Sequence, residues 1–510
     1  MRIGDVRESA ARPSRFKIGW CVRFAALLLA AWYVPPALGQ ATSGNLTDLV
    51  NSGLFAYNGL EAAAARTNDA AFANLLTICQ AGPNGVPAAG CTGNTQLLFN
   101  RLRELEDTAN EILGRGETTF SLRLGLQAVG FALRWTAPEE FAAQGSMTTT
   151  FANSQLTTLN GRFSALRFAT QMTRLAQAGE DYDYDGPKVA SYSSGNLPSY
   201  GNLRGGGASA DGAYASPTWS AIGNGSYSAG TKQPTTFEDA FNFNDTEYSA
   251  GTDVRLSRNL VVGILGGYTI KHVNFNSSES IVDGGVRGEG FSGILYGQLE
   301  GDAAYLNFSL GFQHLSLDTR RSITYPSLNP LVPSVNEVST SSASANSWLT
   351  NIGGGYALHW RGFSVEPYLN AQYVHTQIGQ FTEHNGNGFD INVGSQSDPS
   401  LTLSPGVRFQ QVFTPPFGVI VPYLYGEFRH EFEQNSRDIQ STFAAAGGAG
   451  GGAADFALPT DAPTRNYYLV GGGLTLVFKH GVQGFAQYVR VLQLANYSDY
   501  VASGGIRIEF

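Results

Sequence analysis

The residues of this 510-residue chain that could do chemistry are seven histidines, one pair of adjacent glutamates, three alternating aspartates and a pair of cysteines. The histidines are His272, His314, His359, His375, His384, His430 and His480. None lies between residues 40 and 180. That region therefore lacks a Ser-His-Asp or Cys-His arrangement and any His-ligated zinc. No G-x-S-x-G element is present either. In "TAPEEF", Thr136 stands three residues before Glu139, which reads as a capping box. Pro138 sits in the first turn, where its missing N–H costs little. Glu139 and Glu140 could form a carboxylate pair, but acidic groups there are ordinarily a solvated helix start. His314 with Asp318, or His384 with Asp390, could serve a hydrolase. Histidines scattered in this way are usually structural or surface groups. The chain is read as a non-enzyme.

"DYDYDG" places Asp181, Asp183 and Asp185 at alternate positions before a glycine, like the first half of a calcium loop. The twelfth position is Tyr192 and not Glu, and Pro187 follows the glycine. Any calcium binding would be weak, and an acidic solvated linker is the better reading. No cofactor is called for.

Six basic and two acidic side chains fall in residues 1–39, ahead of and around the apolar run "FAALLLAAWYV". "ALG" follows before Gln40, so residues 1–39 read as a secretory signal. The run is too short to span a bilayer. With those residues removed the net charge moves from −9 to −13, which argues against nucleic acid as a partner. Cys79 and Cys91 then remain, flanking a Pro/Gly-rich loop. In an oxidising compartment they read as one disulfide, with two free buried thiols as the alternative.

Residues 40–178 carry helical periodicity. In "TQLLFNRLRELEDTANEILGRG", Leu98, Leu102, Leu105, Ala109 and Ile112 recur at spacings of three and four. Thr95 is the expected N-cap, and Gly114 or Gly116 the stop. A further helix is expected from Thr136 towards Gln177. Residues 179–216 are rich in Gly, Ser and Tyr and read as a linker.

From residue 217 the period becomes two. In "AYLNFSLGF", Ala304, Leu306, Phe308, Leu310 and Phe312 alternate with Tyr305, Asn307, Ser309 and Gly311. Twelve strands are expected, at about 217–228, 245–257, 260–275, 286–301, 304–321, 345–360, 363–381, 397–413, 418–433, 464–479, 482–494 and 498–510. Their connections alternate tight and long almost throughout. An outer-membrane barrel has that pattern, with an even strand count.

The alternation has a physical cause. Hydrocarbon cannot satisfy an exposed backbone amide, so a sheet within it must close. Outward side chains meet lipid and are apolar. Inward ones meet a polar lumen, so Glu366, Asn370, Arg408, Arg429 and Glu431 are tolerable there. The chain ends inside this pattern. In "SGGIRIEF", Ile506, Ile508 and Phe510 share one face, and Arg507 and Glu509 share the other. A last strand that closes the barrel against the first needs no polar tail.

Residues 217–510 resemble the translocator of a monomeric autotransporter (type V secretion). "WSAIGNGSYS" from Trp219 resembles that family's first strand. "YSAGTDVRLSRNLVVGILGGYT" from Tyr248 resembles its G-x-D hairpin, and "GGIRIEF" resembles its closing strand. The resemblance implies an all-β C-terminal, 12-stranded transmembrane antiparallel barrel. A mainly α-helical N-terminal passenger and a pore-plugging linker helix would precede it. It implies that the terminal strand, with Ile506, Ile508 and Phe510, is read by the barrel-assembly machinery. "LNGRFSALR" resembles the plugging segment, which makes Leu159, Arg162 and Leu166 its marker residues. Some relatives cut themselves between two asparagines just before that segment. Thr157 and Thr158 stand here instead and cannot cyclise the same way, so the N-terminal region is expected to stay attached. The implied partners are outer-membrane lipid, lipopolysaccharide, the assembly machinery and periplasmic chaperones, with the protein a monomer in the outer membrane of a Gram-negative bacterium. A porin-like barrel with periplasmic helices and a barrel hydrolase are the competing readings.

Overall fold

In the computed structural model the described residues are 44–79, 90–145, 147, 155–164, 166–167, 218–257, 259–275, 281–360, 362–415, 417–433, 435–446, 455–478 and 482–510. The secretory signal, the linker with Asp181, Asp183 and Asp185, and the expected helix beyond residue 167 lie outside them.

Period-two patterning becomes strand throughout the C-terminal part. In chain order the elements are β1 (Thr218–Lys232), β2 (Phe241–Arg255), β3 (Leu260–Phe275), β4 (Gly284–Glu300), β5 (Ala304–Tyr325), β6 (Val335–Tyr356), β7 (Leu358–Trp360) and β8 (Phe363–Ile378). They continue as β9 (Phe381–Thr382), β10 (Ile391–Val393), β11 (Gln396–Gln411), β12 (Gly418–Glu431), β13 (Asp438–Phe443), β14 (Asp455–Pro459), β15 (Asn466–Phe478), β16 (Val482–Leu492) and β17 (Tyr497–Glu509). Strand β1 pairs with both β2 and β17, and β8 pairs with both β6 and β11, all antiparallel. The sheet is thereby closed on itself. It has twelve staves, because β7 only prolongs β6 along β8 after Ala357. Closure leaves no strand edge unpaired in the hydrocarbon. The seam is completed by Phe510 N–H donating to Trp219 O at 2.9 Å.

Parity follows the sequence pattern. Leu306, Phe308 and Leu310 are exposed to the outside, while Asn307, Ser309 and Gln313 face inward and are buried. Glu366, Asn370, Arg408, Arg429 and Glu431 are all buried inward. Partway along β5 the pattern inverts. Above Phe312 the outward residues are His314, Ser316, Asp318 and Arg320, and the inward ones include buried Leu315 and Leu317. Strand β6 does the same, with Asn346, Ser344 and Ser342 outward above Trp348. The hairpin thus leaves the lipid and continues into water, with its apolar side turned to the lumen. This corrects the expected loop at 322–344: β6 begins at Val335, ten residues earlier than the periodicity indicated. Its first half, "VNEVSTSSASANS", has too few apolar outward residues to read as strand.

The helices are α1 (Asn45–Asn51), α2 (Gly59–Cys79), α3 (Asn94–Leu113), α4 (Leu126–Thr136), α5 over 140–145 and α6 over 155–164. Residues 166 and 167 continue the helical conformation of α6. Gly114 ends α3 in the left-handed region at φ 67°, as expected of a C-cap glycine. Thr95 does not cap α3. Gly93 holds that place, and Thr95 Oγ1 donates to Ala445 O. The helix expected from Thr136 does not start there. Thr136 is the last residue of α4, and its hydroxyl donates to Leu133 O while accepting from Asn68. Glu139 and Glu140 are not a solvated start, because both are buried. Arg134, five residues earlier, binds Glu139 at 2.7 and 2.9 Å and draws it inside.

Helices α1–α5 lie at the long-loop end and share one apolar core with it. Leu60, Phe72, Leu102 and Phe141 pack in the same cluster as Leu317, Tyr325, Ile378 and Phe389. A second sheet, in the order β14-β13-β10-β9, is folded from the two longest loops and covers α2.

Candidate functional site: the helix-filled lumen

Helix α6 runs inside the barrel. Leu156, Leu159, Phe163 and Leu166, spaced three and four apart, form one stripe. All are buried against Val261, Leu265, Ile294, Tyr296, Leu349 and Val374 of the wall. The other side of the helix is polar. Gln155 donates to Ser292 Oγ at 2.5 Å and to Glu247 Oε1 at 3.1 Å. Further down, Arg162 binds Asp253 on β2 and lies over the Tyr296 ring. At the tight-turn end, Arg167 pairs with Glu366 at 2.8 Å and covers Tyr305. Chain direction is thereby settled: α6 enters among the long loops and leaves among the tight turns, where β1 begins.

Asp253 gathers partners from several elements of the lumen. Besides Arg162 it accepts from Arg507 at 3.0 Å, from Tyr296 at 3.1 Å and from Ser220. One side chain therefore ties α6 to β1, β2, β4 and β17. On the far wall Arg408 stands 5.3–5.8 Å from the rings of Tyr368, Tyr423 and Tyr425 and binds Ser164 of the helix. Gln487 donates to Thr157 O at 3.3 Å. Charges taken out of water in this way need partners, and these have them.

A family model for the autotransporter beta-domain matches residues 189–489, more than half of the chain. The chain belongs to that family. As an autotransporter it is placed in the outer membrane of a Gram-negative bacterium, and its tight turns face the periplasm. Solved structures similar to it include the translocator domain of NalP from Neisseria meningitidis, with 13% identity over 57% of this chain and 88% of that one, at a TM-score of 0.44. The beta domain of the Bordetella autotransporter BrkA shows 14% identity over 57% of this chain and 100% of that one, at 0.40. The transport unit of AIDA-I from Escherichia coli shows 14% over 59% and 92%, at 0.37. No curated protein matches the chain.

The site residues expected of this autotransporter are dispersed. Ile506, Ile508 and Phe510 are exposed on the lipid face of β17. Leu159, Arg162 and Leu166 are buried in the lumen. Thr157 and Thr158 lie within α6 and are buried. Cys79 and Cys91 are joined, linking the end of α2 to the start of α3. His314 and Asp318 lie on one strand four residues apart, roughly 13 Å along it. His314 bonds Asn346, and Asp318 accepts from Ser342. His384 is exposed, whereas Asp390 is buried and accepts from Ser339 and Gly386 N. Neither pair forms a catalytic dyad. The partners of Asp253, from Arg162 to Arg507, are up to 254 residues away in sequence, and no local signal marks them.

Two further groups join the helices to the barrel mouth. Arg134 binds Asp239 of the β1–β2 loop, which also accepts from Ile281 N and Val282 N at 3.0 Å. Arg321 on β5 binds Glu383 at 2.5 and 2.9 Å, Phe389 O at 2.8 Å and Trp135 O at 3.5 Å. Glu140 is fully buried beside it, and burial pushes its carboxyl well above the usual range.

Proposed function

We propose that this autotransporter exports its own short helical N-terminal domain and keeps it as a permanent cap on the outer mouth of the barrel. The shared apolar core of α1–α5 and the mouth carries this reading. A passenger destined for release would need only a tether, whereas this one contributes the buried faces of several helices to the barrel loops. Thr157 and Thr158 support retention, since they supply no asparagine side chain for self-cleavage. The domain division 1–39 signal, 40–178 passenger and helix, 179–216 linker and 217–510 barrel belongs to the same proposal.

The protein's work on this reading is anchoring and display, not catalysis. Assembly would use periplasmic chaperones and the barrel-assembly machinery, with the Phe510 strand as the recognised segment and lipopolysaccharide around the outer half. Protease added to intact cells tests it. Cleavage within residues 44–145 on whole cells, together with a full-length band in untreated membranes, is the expected result. Protection of that region until the outer membrane is opened would overturn it.

A further inference from the structure

The outward face of the barrel carries an ordered change of chemistry at the border where lipid gives way to water. On β5, Phe312 is followed two residues on by His314 and then Ser316. On β8 the series is Tyr373, His375, Gln377, and on β3 it is Ile270, His272, Asn274. On β12, His430 follows Phe428 and precedes exposed Phe432. Four of the seven histidines thus stand on separate strands at one border.

Their neighbours repeat as well. Asn244 lies opposite His272, Asn346 opposite His314 and Asn466 opposite His430 in the strand register. Nδ1 of His314 is 2.8 Å from Asn346 Oδ1, and Nδ1 of His430 is 2.7 Å from Asn466 Oδ1. An amide oxygen only accepts, so Nδ1 carries hydrogen and Nε2 is left to take a further proton. The rings also rest on aromatics: Phe291 at 5.4 Å from His314, Tyr373 at 6.4 Å from His375, Phe432 at 4.7 Å from His430. Two exposed arginines, Arg287 and Arg490, face the same way on β4 and β16. The nearby carboxylates are engaged: Glu289 accepts from Arg287 at 2.7 Å, and Asp318 from Ser342 at 2.8 Å.

We propose that this collar binds the phosphorylated headgroups of anionic lipid in the surrounding leaflet. The acyl chains would lie on the aromatic wall below, and the phosphate would meet imidazole and guanidinium donors above it. A free phosphate ion would use only half of such a surface, since the apolar wall is continuous with the polar border. Protonation of the rings strengthens the contact, because a cationic imidazole gives the phosphate a charge-assisted donor. The groups facing them are few in kind. His272 is faced by Asn244 and Arg287, with Glu289 near, and His314 by Phe291 and Asn346. His375 is faced by Trp348 and Pro399, and His430 by Leu403 and Asn466.

The test uses the full chain in neutral detergent, with lipid A or phosphatidylcholine added and retained lipid counted by native mass spectrometry. Lipid A retention is expected to fall roughly tenfold in the variant carrying H272N, H314N, H375N and H430N. Phosphatidylcholine should show no such change, and inorganic phosphate should not displace lipid A. Equal retention in variant and native protein, or loss of lipid A to inorganic phosphate, overturns the proposal. Should the variant not fold, imidazole acylation of the native protein decides. Lipid A should shield the four collar histidines and leave exposed His384 reactive, and absence of shielding overturns it.

Discussion

Arg507 on the closing strand and Asp253 on β2 are paired at 3.0 Å across the inner face of β1. The same carboxylate holds Arg162 of the lumen helix. The seam and the plug are therefore anchored to one group. Removing Asp253 leaves Arg162 without its carboxylate and Arg507 with Glu509 as its remaining ion pair, whereas removing Arg162 leaves Asp253 still bound to Arg507.

The order of effects follows. D253A should destabilise the folded barrel by about 3–5 kcal/mol, and R162A by clearly less. The temperature at which the barrel loses its heat-modifiable mobility on a gel measures both. R162A should also raise ion conductance in planar bilayers, because the plug loses one of its tethers. Equal melting shifts in the two variants would contradict the shared-anchor account.

Arg321 fastens Trp135 of the helical cap and Glu383 of the β8–β11 loop to β5. It lies beyond the point where β5 leaves the lipid. R321A should therefore loosen the cap, by about 3–5 kcal/mol, and leave the barrel's gel mobility unchanged. Faster proteolysis of residues 44–145 on whole cells is the readout.

Glu106 is buried, close to the Asp69 carboxyl, and accepts from Asn45 N at 3.2 Å. Burial first, and then Asp69, push its pKa up to about 10. A carboxyl raised in the folded state binds a proton that the unfolded chain gives up at its usual value near 4.5. Its contribution is fully present below about 4.5 and is lost as pH rises through about 10. Cap stability, read by amide exchange of α1 and α3, should decline across that window. E106Q should decline less.

The Cys79–Cys91 bond closes the connection between α2 and α3. Its removal in C79S/C91S should cost about 2–3 kcal/mol, the range for a loop of this size. The loss should appear in the cap alone, as increased protease sensitivity in non-reducing medium.

The barrel was legible because lipid outside and water inside impose parity on every strand, so that residues such as Leu306 and Asn307 announce their sides. Legibility failed where that contrast ends. Strand β6 above Trp348 has polar residues outward and small ones inward, and reads as loop. Strands β9, β10, β13 and β14 have two to six residues each, too few for a period to register. At Thr136 a locally sound capping box lost to tertiary partners: Asn68 holds the hydroxyl and Arg134 takes Glu139. Asp253 stood inside a visible G-x-D hairpin, but its role depends on Arg162 and Arg507, and only folding brings those three together.

Because α6 lies within a closed ring of strands, with a cross-linked body at its outer end, that body cannot pass inward through the ring while it stays folded. On the proposed export route, the cap would take its final form only after the thread was drawn through.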